Sequence, residues 1–368
     1  MNIKRHLIKN YVNFRGKSLW GRKIVLIESD DWGSIRMPSR EVYNKFIKAG
    51  INVDEVYFDK YDSLESASDL VELFTVLSSV KDSTGRNAII APYTLVANPD
   101  YSSIRANNKE CYAYESVLDT YKRYKNTENS YSIIQQGIER GIWDPQFHGR
   151  EHVNVRRWMS ACQRGDKNVD MAFDNQAFVA MAFPKDLYCF PAFDYDSEIE
   201  LPDIERCITS GLELFKELYK RTPVSICPPC GMANKSVFKA ATNKGIHFIP
   251  GQLYTHLKDG SYKKLDYFWG NRFDCESVFY RRNCKFEPSS PFYPDPVNSC
   301  LADIELAFRW GKPAVIDSHR VNYIGSIFPE NRERSIRLLK ELLNAIVKKW
   351  PTVEFLSVRE IYELYNNK

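Results

Sequence analysis

The chain has 368 residues, 43% hydrophobic and 27% charged, which is ordinary for a globular protein and ample for a large core. Its 51 Lys+Arg against 47 Asp+Glu leave a net charge of +4. That balance does not call for nucleic acid, no helix-turn-helix, finger or RNA-binding signature occurs, and no run approaches the roughly 18 apolar residues of a membrane span.

The first 23 residues are basic (Lys4, Arg5, Lys9, Arg15, Lys17, Arg22, Lys23) and lack the apolar centre of a signal peptide. They read as a solvated arm, with weak association with an anionic membrane surface as the second reading. Without a leader the protein is expected in the cytoplasm. Nine cysteines, an odd number with no framework spacing, fit reduced thiols there. Cys227-Pro228-Pro229-Cys230 has C-x-x-C spacing but no second zinc half-site, and reads as a proline-stiffened loop.

Ile24–Ile27 is a short, β-branched-rich apolar run, the pattern of a strand buried on both faces. It runs into Glu28, Ser29, Asp30, Asp31, Trp32 and Gly33. Burying two adjacent carboxylates is costly unless something charged meets them. Neighbouring strand residues point to opposite faces, so for Asp30 and Asp31 to serve one site the backbone must leave β geometry, which Gly33 makes easier. The alternative is a loop with two solvated aspartates ahead of a helix.

Helices are expected at Ser39–Lys48 and Ala67–Val80, followed by a buried strand at Asn87–Ala91 that opens into a loop over 92–100. Residues 101–131, rich in tyrosine, read as an insertion that lines a sugar groove or packs onto the core. A helix over Tyr131–Gly141 leads to a strand at Ile142–Phe147, then His148-Gly149-Arg150-Glu151-His152 and a helix at Val153–Cys162. Residues 163–200 form a second insertion with many aromatics. Helix and strand then alternate: Pro202–Lys220, Pro223–Cys227, Lys235–Lys244, Ile246–Ile249, Ser277–Tyr280, Pro296–Trp310, Ala314–Ile316, Glu330–Lys349, Val353–Leu356 and a last helix. This alternation points to an α/β fold, a parallel barrel or sheet in one domain over 1–368.

Three strands end in unusual polar groups: Asp30-Asp31, His148…His152, and Asp317-Ser318-His319-Arg320. Chemistry gathered at several strand ends is what a catalytic barrel face requires. If the chain coils after its strand, His148 and His152 fall on one helical face and can share a metal. With Asp31 they would make a two-histidine, one-carboxylate site with open positions. The alternative is a solvated histidine pair.

The ordered set SDD, HGREH, PPCG and IDSH, over residues 23–320, resembles the polysaccharide deacetylase superfamily of carbohydrate esterases. The resemblance implies a distorted parallel (β/α) barrel with fewer than eight strands, here with two long insertions. It implies hydrolysis of N-acetyl, sometimes O-acetyl or formyl, groups on a sugar or glycan, and a divalent metal: zinc first, with cobalt, nickel or manganese as alternatives. Carried over, Asp30 resembles the catalytic base, Asp31, His148 and His152 the metal ligands, and His319 the general acid. Bound metal would lower the pKa of a water from about 16 towards 7, and a backbone N–H in the loop after Tyr93 would help hold the oxyanion.

Two departures stand out. The family's arginine before the two prolines is Cys227 here, leaving Arg282 or Arg320 to supply the cation, and the Asp-Trp motif has no match. Tyr93, Arg282 and Arg320 are the substrate-binding candidates, and the cluster 281–288 would take an anionic group such as a uronate or phosphate, or is a solvated charge run. H-G-R-E-H also fits the inverted zinc-peptidase pattern with Glu151 as base, which needs a regular helix. The third reading is a sugar-binding protein that kept the fold without turnover.

Overall fold

The structure, a computed structural model, describes residues 3–257, 259–273 and 277–366. The strands in chain order are β1 (Lys23–Trp32), β2 (Ile90–Leu95), β3 (Ala97–Pro99), β4 (Tyr114–Ser116), β5 (Gln146–Gly149), β6 (Phe248–Pro250), β7 (Gln252–His256), β8 (Tyr262–Asp266), β9 (Val278–Tyr280), β10 (Cys284–Lys285), β11 (Ala314–His319) and β12 (Val353–Phe355).

The apolar run Ile24–Ile27 places β1 at the centre of a parallel sheet ordered β10-β11-β1-β2-β5, with β12 beside the start of β1. Parallel bridges at Phe147–Ile226 and Ser225–Phe248 continue the order from β5 to β6, which pairs with β9. The run from β9 to β10 pairs with β6 at its start and β11 at its end, returning the order to β1. Among the described residues no ladder joins positions 281–283, so the ring carries a seam there. The result is the α/β arrangement implied by the sequence, with fewer than eight strand positions on the ring.

The helices follow the apolar spacing. Ser39 caps Arg40–Lys48, and Ser66 with Asp69 forms a capping box on Ala67–Ser79, satisfying backbone donors that a helix start leaves open. Ser130–Glu139, Val155–Arg164, Leu201–Tyr219, Lys235–Thr242, Pro296–Arg309, Pro329–Lys349 and Val358–Asn366 fall within a few residues of expectation. No described helix is long and apolar enough to cross a membrane.

Several expectations are corrected. β2 runs to Leu95, so most of the expected loop from Pro92 is buried strand. The expected strand at Pro223–Cys227 is reduced to single bridges at Ser225 and Ile226. The β7–β8 hairpin carries no clean apolar alternation and escaped the sequence reading. The basic start is not a loose arm: Ile3–Phe14 is a helix, tied down by a Lys9–Asp303 ion pair and an Asn283–Asn13 hydrogen bond of 2.9 Å. The side chains of Lys4 and Arg5 lie outside the described residues.

In the first insertion, β3 and β4 pair antiparallel and short helices follow at Tyr101–Ala106 and Val117–Arg123. Three of its tyrosines, Tyr101, Tyr121 and Tyr124, are buried, with the Tyr121 hydroxyl donating to Glu65, while Tyr114 is exposed. None of the insertion's tyrosines lines the cavity described below. Arg320 is equally remote from solvent, at 0% exposure. It reaches Asp62 at 2.9 and 3.0 Å, Glu65 at 2.9 Å and the Ser34 carbonyl at 2.8 Å. Arg320 therefore pins the segment after β1 and has no free donor face for a substrate.

Arg320→Met is expected to lower the unfolding free energy by about 3–5 kcal/mol, because Asp62 and Glu65 would be left buried without their cation. Denaturant unfolding monitored by circular dichroism checks this. A loss below about 1 kcal/mol would mean the carboxylates find other partners.

Candidate metal and catalytic centre

The site begins with a break in β1. Asp31 has φ +76°, a left-handed conformation that costs an L residue with a side chain on the order of 1 kcal/mol or more. The β1–β2 register shifts between Ser29 and Trp32 at the same place. Strand alternation is lost there, and Asp30 and Asp31 line one cavity. Gly33 (φ +81°) continues the turn, and a Cβ there would sit 2.5 Å from the Leu95 carbonyl oxygen. Its N–H donates to Glu65 at 3.0 Å, the carboxylate that Arg320 also holds. The Asp31 side chain is fixed from behind by Arg36, 3.3 Å from Oδ2.

β5 delivers the histidines. His148 lies in the strand itself, Gly149 turns the chain at φ +140°, and His152 returns in a bend. The pair converges through this turn and not along a helical face. His148 Nε2 lies 3.3 Å and His152 Nε2 3.2 Å from Asp31 Oδ1. The His148 Nδ1–H donates to the Cys227 carbonyl at 2.7 Å, which turns Nε2 towards the Asp31 carboxylate. Burial pushes His152 down to about 4, and its Nδ1 is buried without a hydrogen-bond partner. Burial alone would raise Asp31, but His152 and Arg36 hold it well below the usual carboxylate range. Two imidazoles and a carboxylate, with ligand atoms all within 4.8 Å of one another, fit a divalent first-row cation such as zinc.

Asp30 stands beside this trio. Arg282 grips both of its oxygens, Nη1 at 2.6 Å and Nη2 at 2.8 Å, and reaches Glu28 through Nε at 2.5 Å. Burial would raise Asp30, but Arg282 and then His148 hold it below its ordinary value, so it stays ionised. The cation that the proline loop lacks thus arrives from the β9–β10 segment, while the Cys227 thiol sits 3.6 Å from Asp30 and burial pushes its pKa up.

His319 faces Asp30 from the end of β11, with Nε2 4.0 Å from Oδ2. Its Nδ1 is 2.5 Å from Glu287. Burial opposes the imidazolium, but Glu287 outweighs it and raises His319 to about 9. Lys285 joins Glu287 (3.4 Å) to Asp317 (2.8 Å), and Asp317 reaches Arg282 at 3.3 Å. Asp30 and the His319 imidazole therefore share one chain of partly buried ion pairs.

Sequence reasoning missed Glu28, Glu287 and Arg36 as parts of this site. Glu287 stood inside the 281–288 cluster, whose charges are paired, Arg281 with Asp266, Arg282 with Glu28 and Asp30, and Lys285 with Asp317, and are not free for an anionic substrate. Tyr93 is also reassigned: its buried hydroxyl bonds Ser225 at 2.6 Å and Tyr280 at 2.8 Å, and its ring lies under Arg282, outside the cavity wall. Beyond β2, the Val96 and Ala97 amides both donate to the Arg150 carbonyl, so they cannot serve as an oxyanion site. Glu151 pairs with Arg150 at 2.6 Å in a non-helical turn, which removes the basis of the peptidase reading.

The cavity measures about 500 Å³. The second insertion contributes Tyr188 and Phe190, the β7 hairpin Leu253 and Tyr254, and the Cys227–Gly231 loop a further wall.

No family model and no curated protein matches the chain. Solved structures similar to it include the 4-alpha-glucanotransferase from Thermococcus litoralis (10% identity, TM-score 0.46), which covers 93% of this chain while the chain spans only 40% of that protein. Puue allantoinase matches at 9% identity and TM-score 0.48, over 95% of this chain and 93% of its own. A family 4 carbohydrate esterase from Streptomyces lividans matches at 10% identity and TM-score 0.34, over 91% and 93%. Likeness at this level assigns neither a family nor an activity to the chain.

Proposed function

We propose that the chain is a divalent-metal-dependent hydrolase that removes N-acetyl groups from a sugar or glycan, with O-acetyl or formyl groups as close alternatives. The observation that carries this reading is the meeting of Asp31, His148 and His152 in one cavity, with the Arg282-clamped Asp30 and His319 beside them. Asp31, His148 and His152 would hold the cation. When bound, it supplies Lewis acidity towards a carbonyl oxygen and acidifies a water.

The remaining work falls to the chain. Asp30, ionised at neutral pH, accepts a proton from the attacking water. Arg282 occupies both Asp30 oxygens and fixes the plane in which that proton can arrive. An amine cannot leave readily as an anion, so a positioned acid is needed. His319 is protonated at neutral pH, and Glu287 on Nδ1 orients Nε2 into the cavity to donate that proton. Tyr188, Phe190 and Tyr254 give apolar faces on which sugar rings pack. Substitution of the proline-loop arginine by Cys227 does not remove the clamp on the base, which favours turnover over binding alone.

Asp30→Asn is expected to retain metal and lose about 10²–10⁴-fold in turnover. His148→Ala is expected to lose both. Metal analysis after chelation and reloading, with acetate release from N-acetylhexosamine oligomers as the activity readout, checks both variants. Retained activity in either, or cleavage of peptides with no acetate released, contradicts the assignment.

The pH dependence follows from His319. Its folded-state value is raised from 6.5 to about 9, so the proton-donating form is fully present below 6.5 and is lost as pH rises through about 9. The kcat/KM profile should fall on that alkaline limb, and His319→Gln should show a low, flat profile across it. The same linkage places the stability contributed by the His319–Glu287 pair below that limb. An unchanged alkaline limb in His319→Gln would assign the acid elsewhere.

A further inference from the structure

The charge of this chain is unevenly spread. The first 23 residues hold seven of the 51 Lys+Arg and none of the 47 Asp+Glu, so the remainder is slightly acidic. Within that stretch the helix Ile3–Phe14 is held to the body by one face. Lys9 pairs with Asp303, Asn10 accepts from the Trp310 indole at 3.3 Å, and Asn13 accepts from Asn283 at 2.9 Å. The other face is largely open, although Tyr11 and Phe14 each meet one ring of the body, Phe268 and Trp310. Leu7 is 62% exposed, Tyr11 52% and Phe14 61%, at the i, i+4, i+7 spacing that aligns side chains on one stripe. Trp20, 69% exposed, extends the apolar surface beyond the helix.

Exposed basic side chains accompany the stripe. Arg15 lies against the Tyr11 ring and Lys17 against Tyr365, and both are exposed. Leucine, phenylalanine, tyrosine and tryptophan beside unopposed lysine and arginine are what an interfacial helix offers to lipid: apolar groups for the acyl boundary and cations for the headgroups. At 12 residues the helix is too short to span a bilayer, so such an element lies in the plane of the surface.

We propose that the Leu7–Tyr11–Phe14 face, with Trp20, docks this protein on an anionic membrane surface. Charge complementarity selects that occupant over a second copy of the chain, since two copies meeting here would bring like charge against like. A second cavity of about 580 Å³ separates the helix from the body and shares Gln252, Arg282 and Asp317 with the reaction cavity.

The test is co-sedimentation of the purified full chain with phosphatidylcholine vesicles, with and without phosphatidylglycerol. The protein should sediment with the anionic vesicles, about tenfold or more weakly with phosphatidylcholine alone, and less as salt is raised. Leu7→Ser with Phe14→Ser should abolish binding. Because Phe14 also meets the edge of Trp310, Arg15→Gln with Lys17→Gln serves as a second variant, expected to weaken anionic binding by about tenfold with an unchanged melting temperature. No sedimentation with anionic vesicles, equal binding to both kinds, or a dimer broken by Leu7→Ser would each overturn the proposal.

Discussion

The site depends on one strained residue at the end of one buried strand. A regular β1 would send Asp30 and Asp31 to opposite faces, and the left-handed backbone at Asp31 prevents that. The strain is held by contacts behind it. Gly33 bonds Glu65, Arg320 clamps Glu65 with Asp62, and Arg36 reaches from Asp62 to Asp31. None of these groups touches both carboxylates, yet together they decide that one aspartate turns towards two imidazoles and the other towards an arginine.

The second constraint is charge. Glu28, Asp30, Asp31, Asp317 and Glu287 converge near the cavity, a concentration of anions that burial strongly opposes. Arg282, Lys285 and a protonated His319 meet four of them, and Arg36 meets Asp31. Glu28, whose pKa burial raises, is fully buried and is also met by the Tyr280 hydroxyl at 2.6 Å. The Asp31–His148–His152 side of the cavity is different. It presents two imidazole nitrogens and a carboxylate oxygen to the same small space, an arrangement suited to a cation among them. Opposite halves of the cavity thus carry opposite electrostatic demands, one met by the protein and one suited to metal.

Much of this was legible in the sequence, for identifiable reasons. The β1 run announces itself through four consecutive apolar residues, and helices with caps at Ser39 and Ser66 declare their starts. Asp31 and His148 were visible because each stands at the end of a buried run, His152 because it lies four residues beyond His148, and few histidines compete for the role. What was not legible depended on contacts distant in the chain. Arg282 clamps Asp30 across 252 residues, and no spacing rule distinguishes it from Arg320, which stands directly after a catalytic candidate yet is wholly buried elsewhere. Glu287 looked like part of a solvated charge run because its partner His319 lies 32 residues on. The tyrosines of 101–131 carry the same composition whether they pack or line a groove. Only tertiary placement separates those outcomes.

The central claim is that the Asp31, His148 and His152 side chains hold a divalent cation. Anomalous X-ray scattering at the metal edge, from crystals of the zinc-loaded protein, tests it most directly. The account predicts a single strong peak within coordination distance of Asp31 Oδ1, His148 Nε2 and His152 Nε2. A peak bounded instead by Asp30, His148 and Cys227, whose ligand atoms also lie within 4.8 Å of one another, would contradict it, as would a cavity that takes up no metal.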